Sequence, residues 1–146
     1  MQFTKEELDV VLSGEKQLQL AGLDLSKASL SGVELSKADL TNANLNRAFL
    51  DNARLRYANL TKANLEDADL SDANFHGASL TEADLSGANL HGADLSGVNL
   101  TDANLSHANL VGANLSGVNL NGAKYNIHTQ WPHGFDLESA GAILID

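Results

Sequence analysis

Residues 83–107 read Ala-Asp-Leu-Ser-Gly, Ala-Asn-Leu-His-Gly, Ala-Asp-Leu-Ser-Gly, Val-Asn-Leu-Thr-Asp, Ala-Asn-Leu-Ser-His. The same five-residue unit extends without a gap from Leu20 to Tyr125. Of the 21 unit centres from Leu20 to Leu120, 20 are Leu and one is Phe75. Two residues before each centre, from Ala28 to Ala123, stands Ala or Val, with Val at 33, 98 and 118. Between the two, 14 of 17 positions from Asp39 to Asn119 are Asn or Asp. A period this strict decides the fold before any local propensity does.

The period fits neither a helix nor a flat strand. Five residues of α-helix advance about 500°, so the apolar centres would spiral round the cylinder and leave no polar face. In a flat strand the side-chain period is two, and a five-residue repeat drops out of register at once. The chain must therefore turn in every unit: the small residue and the centre point inward, and the next two residues bend the backbone. Nine of the 12 glycines sit two residues after a centre. That register is where a type II turn needs a positive φ. Lys27, Arg47, Tyr57 and Asp67 hold the same place, which predicts that not every turn has this form.

On these residues the A-(D/N)-L-x-x series resembles the pentapeptide-repeat family. The resemblance implies an all-β, right-handed quadrilateral β-helix with four units per coil and one per face. Residues 20 apart would then stack in columns, about 4.8 Å apart, and the repeats would make about five coils. Leu45, Leu65, Phe75, Leu85 and Leu105 are expected inside the shaft. Phe75 would sit between Leu55 and Leu95 and widen its coil locally. Leu18 and Leu23 replace the small residue, so the first coil is expected to be distorted. Thr41, Thr61, Thr81 and Thr101 form one column, read as β-branched packing with hydroxyl hydrogen bonds between coils. The column is too narrow, and too closely flanked by Lys62, Glu82 and Asp102, for an ice-binding surface.

Three segments follow: an N-terminal cap over 1–17, the repeat over 18–125 and a tail over 126–146. Phe3 to Gly14 predicts a short capping helix, with Thr4 and Glu7 as a capping box and Phe3 stapled on Leu8. Such a helix would close one open end of the solenoid. At the other end Ile127, Trp131 and Phe135 read as a second cap, with a dimer contact as the alternative. Trp131-Pro132-His133-Gly134-Phe135 followed by Gly141-Ala142-Ile143 resembles tails of family members from photosynthetic bacteria.

The 146 residues suit one domain with a continuous core, and there is no cysteine. No long apolar run and no leader pattern is present. The expectation is a cytoplasmic protein, monomer rather than dimer, with no membrane contact. A net charge of −10 disfavours direct nucleic-acid binding. His76, His91, His107, His128 and His133 show no metal-ligand spacing. A Leu-filled shaft leaves no pocket for paired acid and base groups. No enzyme, metal or cofactor is expected.

Two surface departures remain. Residues 1–62 carry eight Lys/Arg and eight Asp/Glu. Residues 63–123 carry no cation and eight acids: Glu66, Asp67, Asp69, Asp72, Glu82, Asp84, Asp94 and Asp102. The density, one charge per about 1.8 Å of axis, matches about 1.7 Å in duplex DNA. The family resemblance includes DNA mimics that bind type II topoisomerases such as gyrase. Against this, the acids spread over all four faces, and the tower is shorter than a turn of DNA. The second departure is local. Phe49 and Arg54 stand where Asn or Asp is usual, and Arg56 and Tyr57 follow. With Lys37 they make a cationic and aromatic patch of interface composition, Phe49 lying on the adjoining face. Outward side chains are taken to be free of folding constraints. The leading reading is a non-enzymatic binding or scaffold module whose partner is a protein; the alternatives are a DNA mimic and a plain structural spacer.

Overall fold

Residues 17–146 are described by a computed structural model. The expected helix over Phe3 to Gly14 lies outside the described residues. Single-residue parallel β-bridges join each unit to the unit 20 residues later, from Gln19↔Asp39 to Asn104↔Lys124. The chain therefore closes a circuit every four units, and the circuits stack. Each face is a column of bridges. The first runs Gln19, Asp39, Asn59, Ser79, Asn99, Asn119; the second starts at Asp24, the third at Ser29 and the fourth at Glu34.

Two bonds per unit run up the tower and one runs down. On the fourth face Leu55 N–H donates to Asn74 O (2.7 Å), Tyr57 N–H to His76 O (2.9 Å), and Arg54 N–H back to Val33 O (2.9 Å). Centres and small residues fill the shaft. Leu45, Leu65, Phe75, Leu85 and Leu105 have no exposed surface, and a buried Leu contributes roughly 1.5–3 kcal/mol. The Phe75 ring leaves the ladder intact: Phe75 N–H still reaches Asp94 O at 2.8 Å. The first coil keeps register too. Leu18 and Leu23 are half-buried against the core, and Leu20 N–H meets Asp39 O at 2.7 Å. The expected distortion does not extend to its pairing.

The corners correct three expectations. Every unit from Leu20 to Ala123 closes with the same bond, the amide three residues after the centre donating to the centre's carbonyl, as in Ala83 N–H to Leu80 O (3.1 Å). The residue two after each centre has φ between +55° and +73°, whether it is Gly77, Lys27, Arg47, Tyr57 or Asp67. All corners thus share the left-handed geometry, which the ladder on both sides imposes against the preference of Lys, Arg or Tyr. That conformation costs a residue with a Cβ roughly 1 kcal/mol or more.

Outward residues are not free either. The Asn or Asp before each centre accepts the amide two residues on, an Asx turn. Examples are Asn74 Oδ1 from His76 N–H (3.0 Å) and Asp84 Oδ1 from Ser86 N–H (3.0 Å). The threonine hydroxyls serve the same corner. Thr41, Thr61 and Thr101 donate to Asp39, Asn59 and Asn99 at 2.6–2.7 Å, within their own units. A contact of Thr61 Oγ1 with Ser79 Oγ at 3.3 Å is the one that links threonine hydroxyls of this column to another coil among the described residues.

The tail continues the stack imperfectly. Gln130 pairs with Asn109 at a spacing of 21, one residue late. Thr129 Oγ1 donates to Leu105 O at 2.9 Å. The chain then returns so that β2 (Ile143–Leu144) pairs in parallel with β1 (Lys124–Tyr125). Tyr125, Trp131 and Phe135 pack ring to ring over the last coil, Tyr125–Trp131 edge-on and Trp131–Phe135 stacked, both at 5.5 Å.

Candidate functional site

The fourth face carries the local departure from the repeat. Ala53 and Leu55 point into the shaft and are fully buried. Arg54, Arg56 and Tyr57 therefore point out, on a backbone bonded to the coils on both sides. Lys37 lies one coil below Tyr57, its N–H donating to Arg56 O at 2.8 Å. The column rule holds: these four share a face, and Phe49 belongs to the third face, between Ser29 and Asp69. Phe49 and Tyr57 are each about half exposed (51% and 53%).

The side chains connect over four coils. Arg54 Nη1 lies 3.7 Å from Glu34 Oε2, a surface pair of small energetic weight. The Arg56 guanidinium carbon is 5.7 Å from the Tyr57 ring centre, within cation–π range. The Tyr57 ring meets His76 edge-on at 5.5 Å and 79°. It also lies over Gly77, where a Cβ would come within 2.5 Å of Cε1; glycine there makes room for the ring. Ser96 Oγ donates to Asp94 Oδ1 at 2.6 Å. His76 Nδ1 lies 2.7 Å from Ser96 Oγ. Ser96 has given its one hydrogen to Asp94, so His76 is the donor at Nδ1. Burial pushes the Asp94 carboxyl up, but Ser96 through its hydroxyl and amide, then His76 and Arg56, outweigh this and hold it below the ordinary value. Ser36 chiefly, and then Arg54, likewise lower Glu34 against the raising effect of its burial.

Two adjacent units of this patch lack the Asn or Asp cap that most units of the tower have. Phe49 and Arg54 have no side-chain oxygen to cap their corners. Among the described residues no acceptor meets the amides of Asp51 and Arg56. Two consecutive units thus forgo a hydrogen bond worth about 0.5–1.5 kcal/mol each. The next corner residue, Tyr57, is a bulky one held at φ 58°.

The eight acids of the upper coils are differently placed. Asp69, Asp84 and Asp94 cap their own corners. Asp67 pairs with Arg47 at 3.6 Å and Glu82 with Lys62 at 3.8 Å, each one coil apart. Glu66 accepts Asn46 Nδ2 at 3.2 Å. The bridge columns put them on all four faces. No group of three or more His, Cys, Asp or Glu converges to hold a metal, and no helix is long and apolar enough to cross a membrane, among the described residues. A cleft of about 270 Å³ opens between the last coil and the tail, lined by Ala113, Leu115, Ser116, Pro132 and Phe135 among others.

The pentapeptide-repeat family model matches residues 19–56, 48–87, 58–97 and 83–122. The chain belongs to the pentapeptide-repeat family. Members of this family form right-handed quadrilateral β-helices. Among solved structures the chain is similar to the pentapeptide repeat protein Rfr23 from the cyanobacterium Cyanothece, at 40% identity, covering 68% of this chain and 64% of that one, with a TM-score of 0.43. A pentapeptide repeat protein of the Arabidopsis thaliana thylakoid lumen matches at 34% identity over 75% and 66%, TM-score 0.51. The chain thus spans just under two thirds of the length of these two relatives. QnrB1, a plasmid-mediated fluoroquinolone resistance protein, matches at 16% identity over 90% and 92%, TM-score 0.39. No curated protein matches the sequence.

Within this pentapeptide-repeat tower, sequence reasoning left Glu34, His76 and Gly77 out of the patch and placed Asp94 with the acidic upper coils instead. The signal was present. Adding 20 to 56 and 57 gives His76 and Gly77, and a further step from Asn74 gives Asp94.

Proposed function

We propose that this pentapeptide-repeat protein is a non-enzymatic binding module that engages a partner protein through the lower fourth face. Arg54, Arg56 and Tyr57 form the centre, with Lys37 and Phe49 at the margin. The observation that carries the reading is the pair of missing corner caps followed by a left-handed tyrosine. Phe49, Arg54 and Tyr57 stand where the fold alone would favour Asn, Asn and Gly, and with Arg56 they place guanidinium groups and a propped ring on the surface. Arg and aromatic side chains are the groups that dominate interface energetics. The test is affinity capture from the source organism with wild type beside Arg54→Ala/Arg56→Ala. A protein retained by the wild type and lost by the variant, with melting unchanged, supports the reading; equal capture by both overturns it.

The DNA-mimic reading draws on the cation-free stretch 63–123. Against it, most of those acids cap corners or pair with a neighbouring coil, and no face gathers them. A gyrase supercoiling assay decides: no effect at micromolar protein removes it.

A further inference from the structure

We infer that the fourth face takes a short acidic segment of its partner, in extended conformation along the tower axis, with carboxylates on Arg56 and Lys37. The inference rests on the binding-face reading above and names the chemistry of the occupant. Seven cations lie within the described residues. Arg47, Arg54 and Lys62 each have a carboxylate one coil away. Among the described residues Arg56 and Lys37 make no ion pair, Arg56 acting on Asp94 only at longer range, and they stand on adjacent coils of one face. Lys27 and Lys124, also without an ion pair, are both on the second face, five coils apart. Among the described residues the fourth face is therefore the one that presents two cations without an ion pair side by side.

The surroundings set the size of the occupant. Adjacent coils are about 4.8 Å apart, and alternate side chains of an extended strand about 6.8 Å apart. Lys37 and Arg56 can thus meet two carboxylates spaced two residues apart, since a lysine stem reaches further than the difference. Glu34 closes the lower edge of the patch and Asp94 the upper, two coils above Arg54. Those two coils, about 10 Å, slightly exceed the screening length of about 8 Å at physiological salt, so repulsion of a segment of this length by the acidic upper coils is weakened. A nucleic-acid strand is disfavoured, because its regular phosphates would run past Asp94 into the acidic coils. The guanidinium of Arg56 is already oriented by the Tyr57 ring, and such a fork binds a carboxylate through two parallel bonds.

The experiment uses the full 146-residue chain and dye-labelled Glu-Ser-Glu-Ser-Glu, its Gln-Ser-Gln-Ser-Gln counterpart and an oligothymidylate of equal length, by fluorescence anisotropy. We expect saturable binding of the glutamate peptide and none of the glutamine peptide over the same range. Arg56→Gln and Lys37→Gln should each weaken binding about tenfold, the scale of one charge-assisted contact. Arg47→Gln, a cation of the second face, should not change it. Absence of glutamate-peptide binding, equal binding of the glutamine peptide, or indifference to Arg56→Gln and Lys37→Gln overturns the inference. Tighter binding of the oligothymidylate overturns it in favour of nucleic acid. If cellular capture depends on Arg54 and Arg56 while the glutamate peptide fails, the binding-face reading stands and the acidic occupant is wrong. If capture ignores those arginines, the binding-face reading itself is wrong.

Discussion

The coils below Lys62 and those from Ala63 to Ala123 share one backbone and differ in what they turn outward. The upper coils are close to self-consistent. All their corners but one, at Ser79, are capped by Asn or Asp, and glycine holds most of the left-handed positions. Where a corner side chain leans on the next coil, a glycine receives it: Asp67 over Gly87, Asp72 over Gly92, Asp102 over Gly122. The lower coils hold Lys, Arg, Asn and Tyr at most left-handed corners and, among the described residues, leave the corners at Gln19, Ser29, Phe49 and Arg54 without a side-chain cap, the last two in adjacent units. The upper coils are therefore explained by folding alone, and the lower fourth face is not. That asymmetry localises the binding proposal better than net charge does.

The largest test of the shared backbone is Phe75→Ala, at the coil joining the two regions. The side chain is fully buried, and large-to-small changes of this kind cost about 3–5 kcal/mol. Urea unfolding measures it. A loss under about 1 kcal/mol would mean that the ring does not fill the shaft.

The caps give the next effects, of opposite sign in the two regions. Asn99→Ala removes the acceptor of Thr101 N–H (3.0 Å) and Thr101 Oγ1 (2.6 Å), and should cost about 1–2 kcal/mol. Arg54→Asn supplies a missing cap and should gain about 0.5–1.5 kcal/mol. If both variants lower the melting midpoint, the contrast between capped and uncapped corners is not energetic.

Acid probes the same corners. Asp24, Glu34, Asp39 and Asp94 are all held below their ordinary values: Asp24 and Asp39 chiefly by Ser26 and Thr41, Glu34 chiefly by Ser36, and Asp94 by Ser96, His76 and Arg56 against burial. A lowered carboxylate in the folded state means that the unfolded chain takes up protons first as pH falls. Its stabilisation is complete above the unfolded value and is lost as pH falls through the folded one. The urea midpoint should therefore hold from neutrality down to the ordinary carboxylate range and fall below it. Asp94→Asn keeps an oxygen for the corner, as Asn74 and Asn114 do in the same column, and should flatten part of that fall. An unchanged slope would show that Asp94 titrates alike in both states.

How much of this was legible follows from which forces are local. The core and the 20-residue columns could be read because Leu recurs in one register, and the family resemblance supplied four units per coil. The corners could not. Nothing in Lys27, Arg47 or Tyr57 announces a positive φ, since the ladder of the coils on either side imposes it. The Asn and Asp positions were visible as a pattern, but their use as caps depends on a turn geometry that spacing alone does not give. His76 and Gly77 are legible only through the 20-residue column above Tyr57, because their own unit keeps the ordinary Asn and Gly.

The smallest expected change in stability is the sharpest test of the lower face: Tyr57→Gly. Three terms compete. Glycine relieves the left-handed backbone of Tyr57, a gain of roughly 1 kcal/mol. It also frees the unfolded chain, which costs about 0.5–1 kcal/mol. The ring's contacts with Gly77 and His76 are lost, but the ring is half exposed and they contribute little. The sum should fall within about ±0.5 kcal/mol, as for an ordinary surface position. Binding should respond differently. Without the ring the Arg56 guanidinium loses its cation–π contact, so more side-chain entropy is lost on contact with a partner. Partner capture should weaken although Arg56 itself is untouched. A fall in melting midpoint with binding unchanged would show that Tyr57 is there for the coil and not for a partner.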